Sequence, residues 1–111
     1  MNEERLSEAA VTFGENLRKL RKANGLSQEK LAEHLGVSTK HIGDLEAGKS
    51  FTTGALLDSV ASYFRVGLDE LFMTESRRQH VETEAAKMAL DILKESTDHV
   101  KRKYGIELKL K

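Results

Sequence analysis

The chain contains no cysteine and no proline. Without cysteine it can form neither disulfides nor cysteine-ligated zinc sites. Without proline, no helical pattern along it is broken by a residue that lacks an amide hydrogen. Net charge is missing as well: 18 lysines and arginines balance 18 aspartates and glutamates. A nucleic-acid-binding domain often carries a basic excess, so this balance argues against such a partner, although placement counts for more than the sum. No apolar run approaches the roughly 20 residues that a membrane span needs. The opening MNEERLSEAA is acidic and lacks the apolar centre of a secretion signal. The expectation is a cytoplasmic protein with no membrane association. At 111 residues, 39% hydrophobic and 32% charged, the chain is read as one compact soluble domain with an extension.

Groupings that support catalysis are also lacking. The histidines are His34, His41, His80 and His99, and no two are four residues apart as in a helical metal site. No glycine-rich phosphate loop follows a strand, and no Ser-His-Asp or paired-carboxylate constellation is visible. Ser27, Ser38 and Ser59 read as caps or helix surface. No enzymatic activity, catalytic residue, cofactor or metal is expected.

What is present is helical periodicity. The first helix is predicted over Ser7–Ala23, with Phe13, Leu17 and Leu20 on one face, and Asn24-Gly25 ends it. A second is predicted over Gln28–Leu35 and a third over Thr39–Ala47. Ser27 and Ser38 stand where N-caps belong, since a hydroxyl can accept from a first-turn N–H. Gly36 separates the two helices, and Gly48 follows the third as a residue able to take positive φ. After a loop over 48–53, Thr53 caps a fourth helix bearing Leu56, Leu57, Val60, Ala61 and Phe64. Leu68, Leu71 and Phe72 mark a short fifth. Residues 76–103 form one long helix that Gly105 ends. Ile106, Leu108 and Leu110 then alternate with charged residues, the period of a short strand.

The run LRKLRKANGLSQEKLAEHLGVSTKHIGDLEAGK, followed by LLDSVASYFRVGLDELF, resembles the lambda-repressor-like DNA-binding domain of the Cro/repressor, or Xre, family. The resemblance covers residues 14–72. The expected fold is all-α: a five-helix lambda-repressor-like domain, a long C-terminal amphipathic helix and a short terminal β-strand. The expected divisions are 1–13 as an N-terminal extension entering the first helix, 14–74 as the helix-turn-helix domain, and 75–111 as a dimerisation extension.

The resemblance implies double-stranded DNA as partner and the third helix as its reader. It places Gln28 at a phosphate-clamping position, where helix N-terminal N–H groups favour an anion. It puts Thr39, Lys40 and Asp44 on the groove-facing side. Lys40 is suited to guanine O6 and N7, Asp44 to cytosine N4, and Thr39 to a thymine methyl or a phosphate. Without the resemblance, Lys40 and Asp44 read as a solvated helix face. Asp44 near phosphate is repulsive, so it must be paired, read a base or point away. Gly43 departs from the family's usual polar residue, which either permits close approach or contributes nothing. Ser38 and His41 are candidates for phosphate contacts, and Lys49 lies where the following loop meets the backbone. Arg21 and Glu46 match a buried structural pair. Many relatives carry a proline near Thr52, which this chain lacks.

In the extension, Val81, Ala85, Met88, Ala89, Ile92, Leu93 and Val100 share one broad arc of a helical wheel. Together with Ile106, Leu108 and Leu110 they are the expected dimerisation surface. The function implied is a transcriptional regulator, chiefly a repressor, binding an inverted-repeat operator as a homodimer. The alternative is an antitoxin-type autoregulator whose residues 75–111 bind a partner protein.

Overall fold

The computed structural model describes residues 6–105. They form α1 (Glu8–Ala23), α2 (Gln28–Leu35), α3 (Thr39–Glu46), α4 (Gly54–Phe64), α5 (Leu68–Leu71) and α6 (Glu75–Tyr104). No strand occurs among the described residues. The strand expected over Ile106, Leu108 and Leu110 lies outside the described residues.

Hydroxyl caps set the starts of four helices. Ser7, Ser27, Ser38 and Thr53 accept from the backbone N–H three residues on, at 3.0–3.1 Å. Each bond satisfies a first-turn donor that has no partner within its helix. Ser7 is therefore the cap of α1 rather than its first residue. The ends are set differently. Gly36 adopts φ +70 after α2, where its missing Cβ removes the left-handed penalty, and its N–H returns to Ala32 and Glu33. Ala47 is the C-cap of α3, so that helix stops one residue short of the expected boundary. Arg65 ends α4 at φ 56, a left-handed position normally given to glycine.

Contacts divide the chain into two units, Met1–Thr74 and Glu75–Lys111. The core of the first is Phe13 and Leu17 from α1, Leu31 and Ala32 from α2, Ile42 and Leu45 from α3, Leu56 and Val60 from α4, and Leu71 from α5. Fully burying one large apolar side chain stabilises a fold by about 1.5–3 kcal/mol, so this cluster is the main force holding α3 in place. Two features of α1 fix the packing around it. A Cβ on Gly14 would collide with the Leu45 carbonyl oxygen and lie 3.0 Å from that of Glu46. The α1 backbone therefore lies directly against the C-terminal end of α3. Asn16 is buried, and its amide donates to the carbonyls of Leu71 and Met73, both at 2.9 Å. It thereby pins the end of α5 to α1. Phe13 and Phe51 flank Phe72, with centroids 5.7 and 6.2 Å away.

The second unit contains α6, whose 30 residues span about 45 Å at 1.5 Å each. None of its residues is buried. Val81, Met88, Ile92 and Leu93 are exposed, as is Leu90, which lies outside the expected arc. Ala85 and Ala89 are exposed and Val100 is half-buried. Glu84 and Lys87, three residues apart on α6, form an ion pair at 3.7 Å. No described helix is long and apolar enough to cross a membrane.

Candidate nucleic-acid interface

The site is built where α2 and α3 meet. Ser27 caps α2 so that Gln28 is its first residue, and Ser38 caps α3 so that Thr39 is its first. The turn through Gly36 then brings the start of α2 against the middle of α3. Ile42 and Leu45 face the core. Thr39 and Lys40 are exposed, and Gly43 and Asp44 are half-buried beside them.

Lys40 and Asp44 form an ion pair. The Lys40 ammonium lies 2.8 Å from Asp44 Oδ2, with side chains 85% and 28% exposed. This hydrogen bond holds the Asp44 carboxyl below the usual carboxylate range. Partial desolvation opposes the shift, and the charges of Lys40, Lys49 and His41 add to it. Of the three alternatives that the sequence left for Asp44, the structure shows pairing, with the Lys40 partner at four-residue spacing. Asp44 also organises the next loop, because its carbonyl accepts from the backbone N–H groups of Lys49 and Ser50 at 2.9 and 3.3 Å.

Behind this face lies a second polar cluster. Arg21 grips Glu46 bidentately, Nε to Oε2 at 2.7 Å and Nη2 to Oε1 at 3.0 Å. Its Nη1 donates to the Leu26 carbonyl at 2.8 Å, joining the exit of α1 to the end of α3. The Glu46 side chain is 4% exposed and that of Arg21 11%. The hydrogen bond to Glu46 raises the Arg21 guanidinium above its ordinary range, against the opposing effect of burial. Gln28 joins the cluster, its Nε2 donating to Glu46 Oε1 at 3.1 Å. Sequence reasoning had assigned Gln28 to a phosphate and Glu46 to Arg21 as separate matters, whereas the structure places all three on one carboxylate. An amide has two N–H donors, and the bond to Glu46 uses one of them.

The other candidates surround these two clusters. A Cβ on Gly43 would lie 3.8 Å from Gln28 Oε1, an ordinary contact distance. Ser38 is exposed, with its hydroxyl engaged by the His41 N–H at 3.0 Å. His41 is half-buried and Lys49 exposed. On a different side of the unit, His34 of α2 stacks on Tyr63 of α4, centroids 5.3 Å apart. Sequence reasoning missed both this pair and Asn16. Among the described residues, no three His, Asp or Glu side chains are grouped to hold a metal.

The helix-turn-helix family HTH_3 matches residues 17–71, which run from the middle of α1 to the end of α5. The chain is 39% identical over 74 residues to the HTH-type transcriptional activator BcrR of Enterococcus faecalis, a match covering 67% of this chain and 36% of that protein. It is 32% identical over 62 residues to the HTH-type transcriptional regulator YazB of Bacillus subtilis, covering 56% of this chain and 90% of YazB. Among solved structures, the restriction-modification controller protein C.AhdI from Aeromonas hydrophila superposes with a TM-score of 0.53 at 36% identity, covering 57% of this chain and 96% of that one.

Proposed function

The chain is a member of the helix-turn-helix family HTH_3, and from that premise we propose that it regulates transcription by binding double-stranded DNA with α3 in the major groove. The observation that carries this reading is the outward face of α3, where exposed Lys40 stands beside Thr39 and pairs with Asp44, one helical turn away. In the proposed complex Lys40 exchanges part of that pairing for guanine O6 and N7, and Asp44 accepts from a cytosine N4 amine. Thr39 lies against a thymine methyl. Gln28, Ser38, His41 and Lys49 contact phosphates around it, and Gly43 allows the helix backbone to approach closely.

The proposed operator is an inverted repeat bound by a homodimer, with half-sites about one turn, ~34 Å, apart. Residues 75–111 are the proposed pairing element, through Val81, Ala85, Met88, Ala89, Ile92, Leu93 and Val100 on α6 together with Ile106, Leu108 and Leu110. Repression is the assigned outcome, because a dimer on an operator blocks polymerase by occupancy alone. A second reading is favoured by one observation, that α6 buries none of its residues. On that reading the extension binds another protein, as in an antitoxin-type autoregulator.

Selection from a random duplex pool with the purified full-length chain tests the DNA reading. A two-fold-symmetric sequence is expected, and Lys40→Ala should cost ~1–3 kcal/mol on it and relax one base position. Failure to enrich any sequence at low salt refutes the reading. Light scattering on the same protein separates a homodimer from a monomer, and a second chain retained through purification would favour the antitoxin-type reading.

A further inference from the structure

Three helix ends converge on one carboxylate. Arg21 stands in the last turn of α1, Gln28 opens α2 and Glu46 closes α3. An ionised carboxylate offers about four lone-pair positions and no donor. Arg21 takes one on each oxygen, with Nε 2.7 Å from Oε2 and Nη2 3.0 Å from Oε1. That fork by itself completes the link between α1 and α3. Gln28 adds a third bond, its Nε2 donating to Oε1 at 3.1 Å. The consequence of this third bond falls on Gln28.

Glutamine is among the side chains with most rotamer freedom to lose when fixed. Here the amide is fixed before any ligand arrives, by a bond to an ionised acceptor that is stronger than a neutral one. The carboxylate also sets which end of the amide faces it, because Gln28 Oε1 turned toward Glu46 would oppose two acceptors. An amide is planar, so placing one N–H of Nε2 places the other. A Cβ on Gly43 would lie 3.8 Å from Gln28 Oε1 and 4.0 Å from Nε2, so the bare glycine of α3 leaves the amide its space. A carboxylate standing behind a donor would ordinarily repel an approaching anion. Glu46 does not stand there as a net charge: Arg21 neutralises it at 2.7 Å, and its side chain is 4% exposed.

We propose that Glu46, neutralised by Arg21, is a positioning residue for DNA binding: it orients the Gln28 amide so that the second N–H of Nε2 donates to a backbone phosphate. A donor held in its binding orientation loses less freedom on association and so binds more tightly. A phosphate contact carries no sequence information, so the effect is on affinity and register, while α3 supplies discrimination. The buried link between α1 and α3 thereby extends to the DNA face. The proposal rests on the DNA-binding reading above.

The test is a double-mutant cycle read by fluorescence anisotropy on the full-length chain. Wild type, Gln28→Ala, Glu46→Gln and the double variant are each titrated against the selected duplex and a scrambled duplex of equal length. Gln28→Ala should lower affinity about ten-fold on both duplexes with their ratio intact, since a hydrogen bond to a charged group is lost and no base contact is. Its salt dependence should match wild type, because the amide carries no charge. Glu46→Gln should cost several-fold more affinity with Gln28 in place than in the Gln28→Ala background. A purely structural Glu46 would cost the same in both, so losses equal within about two-fold overturn the proposal. A Gln28→Ala variant that binds like wild type overturns it as well, since nothing is then being positioned. A wild type that fails to distinguish the duplexes overturns the DNA reading instead. Far-UV circular dichroism and urea denaturation check that each variant is folded under the assay conditions. If Glu46→Gln is not, Glu46→Asp keeps a charge for Arg21 while drawing the carboxylate back from Gln28, and the same cycle applies. NMR relaxation of the side-chain amides in unbound wild type needs no variant. Gln28 should be as ordered as the α2 backbone, while exposed Gln79 of α6 moves on the picosecond-to-nanosecond scale. Equal mobility of the two amides overturns the proposal.

Discussion

Lys40 and Asp44 occupy successive turns of α3 and bond across 2.8 Å, so the most exposed cation of the helix-turn-helix pair and its nearest anion are one unit. Removing the anion frees the cation. Asp44→Asn should bind scrambled duplex a few-fold more tightly than wild type and discriminate less between duplexes, because a carboxylate that repels phosphate has gone. Weaker binding to both duplexes in anisotropy titrations would show that Asp44 contributes an attractive contact instead.

The same pair has a pH signature. The bonded Lys40 lowers the Asp44 carboxyl below its usual range. A group whose folded-state value is depressed contributes stability above the unfolded value, about 3.9 for aspartate, and loses it as pH falls through the folded value. The melting difference between wild type and Asp44→Asn should be constant at neutral pH and vanish in acid below that range. A difference that persists unchanged at the acid end of a thermal melt series would contradict the pairing.

Arg21→Ala should be far more damaging than any change on the outer face of α3. It strands a carboxylate that is 4% exposed and removes the link from α1 to the end of that helix. Breaking a buried pair from one side typically costs ~3–5 kcal/mol. Urea denaturation of the purified variant gives the number, and a midpoint equal to wild type would rule out a structural role.

Two glycines should respond with opposite signs. At Gly43 an added methyl lies 3.8 Å from Gln28 Oε1 and has room, so Gly43→Ala should stabilise by ~0.5–1 kcal/mol through helix propensity. At Gly14 the same methyl meets the Leu45 carbonyl oxygen, and overpacking of this kind costs ~1–3 kcal/mol. Equilibrium unfolding of the two variants in parallel decides, and shifts of the same sign would contradict the packing described here.

Arg65 sits at φ 56, where a side chain costs roughly 1–2 kcal/mol in L-residues. Arg65→Gly should raise the melting temperature despite the added freedom of the unfolded chain. A fall in a calorimetric scan would mean that the Arg65 side chain makes a compensating contact.

The parts of this fold that were legible in the sequence are those governed by neighbours. The hydroxyls of Ser27, Ser38 and Thr53 cap helices three residues ahead, and apolar spacing within single helices marks Phe13 and Leu17, or Ile42 and Leu45, as core. Interactions spanning distant segments were not legible by spacing. The amide of Asn16 reaches carbonyls more than fifty residues away, and nothing near Asn16 signals it. Gln28 meets Glu46 only because the Gly36 turn folds α2 back on α3. Resemblance to a family supplied the Arg21–Glu46 pair, but it left Gln28 outside that pair. Leu90 shows the limit of the helical wheel, since it lies outside the expected arc and is as exposed as the apolar residues on it.

The way α3 is held divides its residues between two kinds of constraint. Ile42, Leu45 and Glu46 are committed to the core, to Gly14 of α1 and to Arg21, mostly toward the C-terminal end of the helix. Thr39, Lys40, Gly43 and Asp44 make none of those contacts. On the proposed DNA reading, substitutions at these four positions change what is recognised while leaving those core contacts in place. That reading puts new specificities within reach of single mutations that spare the clamp, whereas a change at Glu46 must first survive its loss. Gln28 is the exception, because it bonds the clamp while standing at the proposed DNA face, and drift there is constrained from both sides at once.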